Sequence, residues 1–395
     1  MRKRMGTVQR LRKMDVPLSR PSITDADIEA VLEVLKTPTL SLGPKLKAFE
    51  RAVADYVGVR HGLGVNSGTS GLHLCLAAKG IGPGDEVFTS PFSFVASANC
   101  ILYQGATPVF ADIDPDTLAL DPERVADRVT EATRALIPVD VFGQPCPIED
   151  LAAIARRHDL AIIQDACEAI GAERNGKKVG SPEYVDAAVF AFYPNKQMTT
   201  GEGGMVVTDD DEMATVIDSL RNQGRDDAGT WMNHVRLGYN YRLDEMSAAL
   251  GLSQVSRIDA ILDRRDRVAA MYTERLTRVD GIHTPYIAPD TTRMSWFVYV
   301  IRVEARIDRT ALMIALQEDG IPSRPYFVPI HLQPYYRERF GYKMGDFPVA
   351  EHVAETTLAI PFYTEMPEEQ VDYVCERIAV RVGEAQVRRL QGYRP

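Results

Sequence analysis

The chain has 395 residues, 45% of them hydrophobic and 25% charged, with 28 Gly and 24 Pro. These values exclude a collagen-like, disordered or disulfide-dense chain and leave room for two or three domains. Its 45 basic and 55 acidic residues give a net charge of −10, which excludes a general nucleic-acid binder with a basic face.

The opening residues 1–15 are basic and polar and read as a flexible tail, with no apolar run to form a secretory signal. Thr24 is placed to cap a helix over 26–35, and a second helix follows over 44–56, with Leu46, Phe49, Val53 and Tyr56 at helical spacing. Short apolar runs then alternate with helices. Strands are predicted over 86–89, 108–112, 135–141, 160–164, 187–192 and 204–208. Helices are predicted over 72–79, 94–104, 122–129 and 148–158. This alternation predicts an α/β fold with a largely parallel sheet covered on both faces. One long helix is expected over 245–276, then a strand over 296–303 and a helix over 308–318. A Pro-rich stretch over 321–334 and a closing helix over 366–382 complete the chain. The boundaries expected are a large α/β domain over 16–250 and a smaller α+β domain over 251–395. No window of 18 apolar residues occurs, so no membrane span is expected.

Five widely spaced Cys show no C-x-x-C pair, which argues for buried free thiols in a reducing cytoplasm rather than a metal site. Two glycine-rich segments mislead. Residues 62–68 (GLGVNSG) are one residue too long for a dinucleotide fingerprint. Residues 171–177 (GAERNGK) lack the Ser or Thr that a P-loop needs, and their N-G-K step reads better as a hairpin turn.

Three segments converge on one chemistry. Residues 66–71 (NSGTSG) put small and hydroxyl residues at a helix start, which makes either an anion site or an ordinary cap. An apolar strand ends at Asp165, whose carboxylate could cap a helix, bind a metal or pair with a heterocyclic nitrogen. A further strand delivers Lys196 into a Gly-rich turn beside Phe192 and Tyr193, where partial desolvation would free the amine as a nucleophile. Together they supply a phosphate cradle, an acid for a pyridine nitrogen and an imine-forming lysine, the binding set for pyridoxal 5′-phosphate (PLP).

The segments SGTSGLHL, FTSPFSFVASAN, QDACEAIGA, FAFYPNKQMTTGEGG and LGYNYRLDEMSAALGLSQV resemble the DegT-type nucleotide-sugar aminotransferases, fold type I PLP enzymes, over nearly the whole chain. The resemblance implies amino transfer from L-glutamate to a nucleotide-linked keto-sugar, a 4-keto-6-deoxyhexose or a 3-keto counterpart, by a cytoplasmic homodimer with shared sites serving polysaccharide biosynthesis. It implies Lys196 as the cofactor-binding lysine and Asp165 as the carboxylate on the pyridine nitrogen. Phe94 is then the ring-stacking residue, and Gly68, Thr69 and Ser70 are the phosphate loop. Asn240 would contact the phosphate from the neighbouring subunit, and Tyr326 and His331 would approach the sugar nucleotide. Glu168 stands where the family often has Gln or His contacting the cofactor's 3-oxygen, so a carboxylate there must be protonated or turned away. Ala191 replaces a serine that commonly donates to the phosphate, and Asp140 a common His. Family dehydratases carry His in place of the lysine, and a non-catalytic regulator or scaffold would have no need of Lys196 and Asp165.

Overall fold

Local sequence sets the entry to the fold. The computed structural model describes residues 13–226 and 233–390, the side chains of 385–390 aside; most of the expected N-terminal tail therefore lies outside the described residues. Helix α1 (Asp25–Leu35) starts in a reciprocal box: the Thr24 side chain accepts from the Asp27 N–H, and the Asp27 carboxylate accepts from the Thr24 N–H. Helix α2 (Pro44–Val57) starts on a proline and closes on Gly58 at φ 92°. Its open N-terminus is covered from far along the chain, where the Glu245 carboxylate accepts from the N–H groups of Gly43, Lys45 and Leu46.

A seven-stranded sheet follows. Its elements are β1 (His61–Val65), α3 (Gly68–Ala78), β2 (Glu86–Thr89), α4 (Ala96–Tyr103), β3 (Thr107–Phe110) and α5 (Pro122–Ala126). They continue with β4 (Thr133–Ile137), α6 (Ile148–His158) and β5 (Ala161–Asp165). After a short hairpin, β6 (Glu173–Arg174) and β7 (Lys177–Lys178), come β8 (Ala187–Ala191), β9 (Gly204–Thr208) and α7 (Asp211–Arg221). The order is β1-β9-β8-β5-β4-β2-β3. All pairings from β3 to β8 are parallel, whereas β9 runs antiparallel to both β8 and β1. The parallel strands therefore end on one edge, where ligands of open α/β sheets sit. The expected N-G-K turn is the β6–β7 hairpin, with Asn175 and Gly176 both at positive φ as a two-residue turn requires.

The long helix expected over 245–276 is two helices, α8 (Glu245–Val255) and α9 (Ile258–Leu276), broken at Ser256–Arg257. The break lets Arg257 turn its guanidinium to the Asp27 carboxylate and the Ser22 carbonyl, each at 2.7 Å. The chain goes on through β10 (Ile282–His283), β11 (Thr291–Arg293), β12 (Tyr299–Val303) and α10 (Arg309–Glu318). It closes with α11 (Pro334–Phe340), α12 (Pro348–Thr356), β13 (Thr357–Ile360) and α13 (Glu368–Leu390). Strands β10, β12 and β13 form an antiparallel sheet whose core gathers Tyr272, Ile301, Leu316, Leu358 and Val374. Val16 is buried in that same core, and Leu18 accepts from the Phe362 N–H, so the start of the described chain packs with its end. Among the described residues no helix is long and apolar enough to cross a membrane, and the five Cys are free.

Candidate active site

At the carboxyl edge of the large sheet lies a cavity of about 540 Å³. Loops leaving β1, β2, β4, β5 and β8 line one side of it, and residues 297 and 325–328 line the other. Strand β5 delivers Asp165 to the cavity as its last residue. The carboxylate is oriented by two donors, the Ser97 hydroxyl at 2.7 Å and the Cys167 N–H at 3.2 Å. Five residues past β8, a turn closed by the Lys196 N–H on the Tyr193 carbonyl presents Lys196. Its ammonium lies 3.4 Å from Glu168 and 3.8 Å from the centre of the Phe297 ring, with 12% of the side chain exposed.

Helix α3 points its N-terminus at the same cavity. Ser67 caps it, taking the Ser70 N–H on its hydroxyl and the Gly71 N–H on its carbonyl. Gly68 and Thr69, at the first two helical positions, line the cavity with N–H groups that have no intrahelical acceptor. Gly68 has to be glycine: a Cβ there would fall 2.7 Å from the Cys167 sulfur and 2.9 Å from the Ala191 Cβ.

Glu168 is buried, yet it is neither isolated nor turned away. One carboxylate oxygen accepts from the Phe142 N–H at 2.9 Å and the other faces Lys196. Burial holds its pKa above the ordinary carboxylate value, a rise that Lys196 and the Phe142 N–H oppose without cancelling. Asp140 sits one layer behind, fully buried, with its N–H on the Asp165 carbonyl. One of its oxygens takes the Cys146 N–H and the Gln164 amide, and the other has no partner. Burial pushes this group up to about 7.

The opposite wall is held by a strap over residues 295–297. Gln197 donates to the Glu168 carbonyl at 2.6 Å and to the Ser295 carbonyl and hydroxyl at 2.9 and 2.8 Å. The Ser295 N–H donates to the Gly143 carbonyl, so close that a Cβ on Gly143 would fall 1.5 Å from the Ser295 oxygen. From behind, the fully buried Arg265 donates to the carbonyls of Trp296 and Phe297, and burial pushes its guanidinium down to about 9. The strap thus presents the Phe297 ring to Lys196, and the Tyr326 ring stacks beyond it at 6.5 Å.

The structure brings Lys196, Asp165, Glu168, Gly68, Thr69, Phe94 and Tyr326 to this one cavity, with Phe94 62% exposed. Ser70 lies beneath it, its hydroxyl shared with Asn66 and Ser67. Asn240 is exposed on a segment bridged to Asn222, outside this cavity. His331 is placed elsewhere than expected: its ring is fully buried, bonded to Glu351 at 2.9 Å and packed edge-on against Phe347. Burial of that ring closes it to a substrate. Sequence reasoning missed Ser97, Gln197, Phe142 and Phe297. Ser97 and Gln197 lie inside quoted motifs, but nothing in the pattern says that their side chains turn toward Asp165 and Ser295.

The chain is similar to known proteins over nearly its whole length. The spore coat polysaccharide biosynthesis protein SpsC of Bacillus subtilis is 40% identical over 92% of this chain and 96% of its own length. GDP-perosamine synthase of Caulobacter vibrioides is 38% identical over 91% of this chain and 96% of its own. The solved structure of Streptococcus pneumoniae Spr1654 in its PLP form superposes with a TM-score of 0.88, at 29% identity over 94% of this chain and 100% of that one. Residues 21–379 match the DegT/DnrJ/EryC1/StrS aminotransferase family, and the chain is a member of it.

Proposed function

We propose that this chain transfers an amino group from L-glutamate to the ketone carbon of a nucleotide-linked sugar, using PLP held in the 540 Å³ cavity. The observation that carries the reading is the convergence of the Lys196 amine, the Asp165 carboxylate and the first-turn N–H groups of α3 on one cavity. These three match, in kind and number, the aldehyde, pyridine nitrogen and phosphate of the cofactor. Asn195 adds a buried carbonyl oxygen in the cavity lining that no protein group satisfies. When bound, PLP supplies a carbonyl for the amine and a ring that absorbs the electrons left when a proton departs from a neighbouring carbon.

The chain's own groups do the rest. Lys196 would hold the cofactor through Nζ, and as a free amine it would be the base that takes and returns the proton at the donor Cα. Asp165, fixed by Ser97 and the Cys167 N–H, keeps a proton on the pyridine nitrogen. Gly68 and Thr69 hold the phosphate by their N–H groups, and Phe94 packs on the ring. Asn240, exposed outside its own cavity, serves the neighbouring subunit of a homodimer. Tyr326 stands on the sugar-nucleotide side, where a 4-keto-6-deoxyhexose or a 3-keto counterpart would present its ketone. The name of SpsC supports a place in polysaccharide biosynthesis, and the proposal sets that step in the cytoplasm.

The test is the visible spectrum of the protein with PLP before and after glutamate. A band that bleaches with glutamate, returns with a keto-sugar nucleotide and is missing in Lys196→Ala is expected. A band that glutamate leaves unchanged contradicts the donor, and no uptake of PLP contradicts the enzyme reading.

A further inference from the structure

Lys196 is surrounded by groups that favour positive charge on its nitrogen. The Glu168 oxygen is 3.4 Å away, the face of Phe297 is 3.8 Å away, and a second carboxylate, Asp165, lines the same cavity. Glu168 is itself built as an acceptor. Its second oxygen takes the Phe142 N–H, and the residue is closed off from solvent between the β5 loop and the strap. The other titratable groups facing Glu168 are Asp165 and Cys167 from the end of β5 and Tyr326 from the C-terminal segment. Lys196 is the only cation among them. An ionised carboxylate is acceptor-only and meets a donor at each oxygen here, the Phe142 N–H at one and the Lys196 ammonium at the other, which is the geometry of an ion pair.

We propose that Glu168 is the built-in counter-ion of the Lys196 nitrogen and holds positive charge there, both on the free amine and once that nitrogen is joined to the cofactor. The inference rests on the reading of Lys196 as the cofactor-binding amine. It makes Glu168 a determinant of when that nitrogen releases its proton, a task that neither Gln nor His could perform in the same way. Removing the charge while keeping the shape leaves Lys196 buried without its partner. The nitrogen should then hold its proton about tenfold more weakly or worse.

The experiment compares wild type, Glu168→Gln and Glu168→Asp, each first shown to be folded by circular dichroism. Competitive acylation by acetic anhydride, read for Lys196 by peptide mass spectrometry on cofactor-free protein, gives the pH of half-maximal labelling. That pH is expected to fall by about one unit or more in Glu168→Gln and to stay near wild type in Glu168→Asp. If the amide variant does not fold, Glu168→Met repeats the test with the space still filled. With PLP bound, the pH midpoint of the visible band should move the same way. Coincident labelling curves for wild type and the uncharged variant overturn the counter-ion. A wild type that takes up no PLP overturns the functional reading instead, and leaves the labelling result to stand alone.

Discussion

The two walls of the cavity are built by different chemistry. The strand-end wall carries Asp165, Glu168 and Lys196, with Ser97 and the Cys167 N–H turned in to fix Asp165 and the Phe142 N–H to fix Glu168. The facing wall offers Phe297, Pro325, Tyr326, Phe327 and Val328, and behind it lies the apolar core around β12 and β13. Arg265, buried behind the strap, spends its donors on the carbonyls of residues 296 and 297 and on the Thr364 hydroxyl rather than on a carboxylate. Charge that acts on a substrate thus comes from one wall, and shape and dryness from the other. Substitutions on the first wall should change the chemistry at nearly constant stability, and those on the second should change stability first.

Lys196→Ala should break the charged wall outright. Turnover of the amino-transfer reaction should fall at least about 10⁴-fold with the melting temperature little changed, checked by steady-state kinetics beside a thermal melt. Gly143→Ala should break the other wall. Its φ of 93° and the 1.5 Å approach to the Ser295 oxygen leave no room for a methyl group. A loss on the order of 4 kcal/mol is expected, read as failure to fold or a collapse of the denaturant midpoint. Gln197→Ala stands where the walls meet. It strips three acceptors of one donor and should cost about 2 kcal/mol. It should also lower kcat more than it raises KM, because Phe297 loses its hold over Lys196.

The smallest effect is a pH dependence. The folded Asp140 takes up its proton near 7, against about 3.9 when unfolded. Its contribution to stability is therefore fully present below pH 4 and is lost as pH rises through 7. Asp140→Asn should remove that loss, gaining on the order of 2 kcal/mol over wild type between pH 5 and pH 8. Melts at the two pH values check it, and parallel wild-type and variant curves contradict it.

How far the sequence reaches follows the same division. Strand-end residues are legible because a strand, a turn and a reactive side chain are contiguous: β2 and β9 fall on their expected bounds, and β5 ends at Asp165. Strand β1 is hidden by its glycines, which read as a near-miss of a dinucleotide fingerprint rather than as a strand. They are there because α2 presses on the strand, so that a Cβ on Gly62 would fall 2.4 Å from the Glu50 carbonyl. The strap, the Gln197 bridge and the burial of His331 join residues about 20 to 150 positions apart, and no local pattern encodes such a contact. The break in the long helix is of the same kind, since Arg257 leaves the helical path for an aspartate 230 residues away.

The central claim is that the Lys196 amine is the group that takes the cofactor. Borohydride reduction of the PLP-treated protein, followed by peptide mass spectrometry, tests it directly. The account predicts a phosphopyridoxyl group on Lys196; a label on another lysine, or none at all, would contradict it.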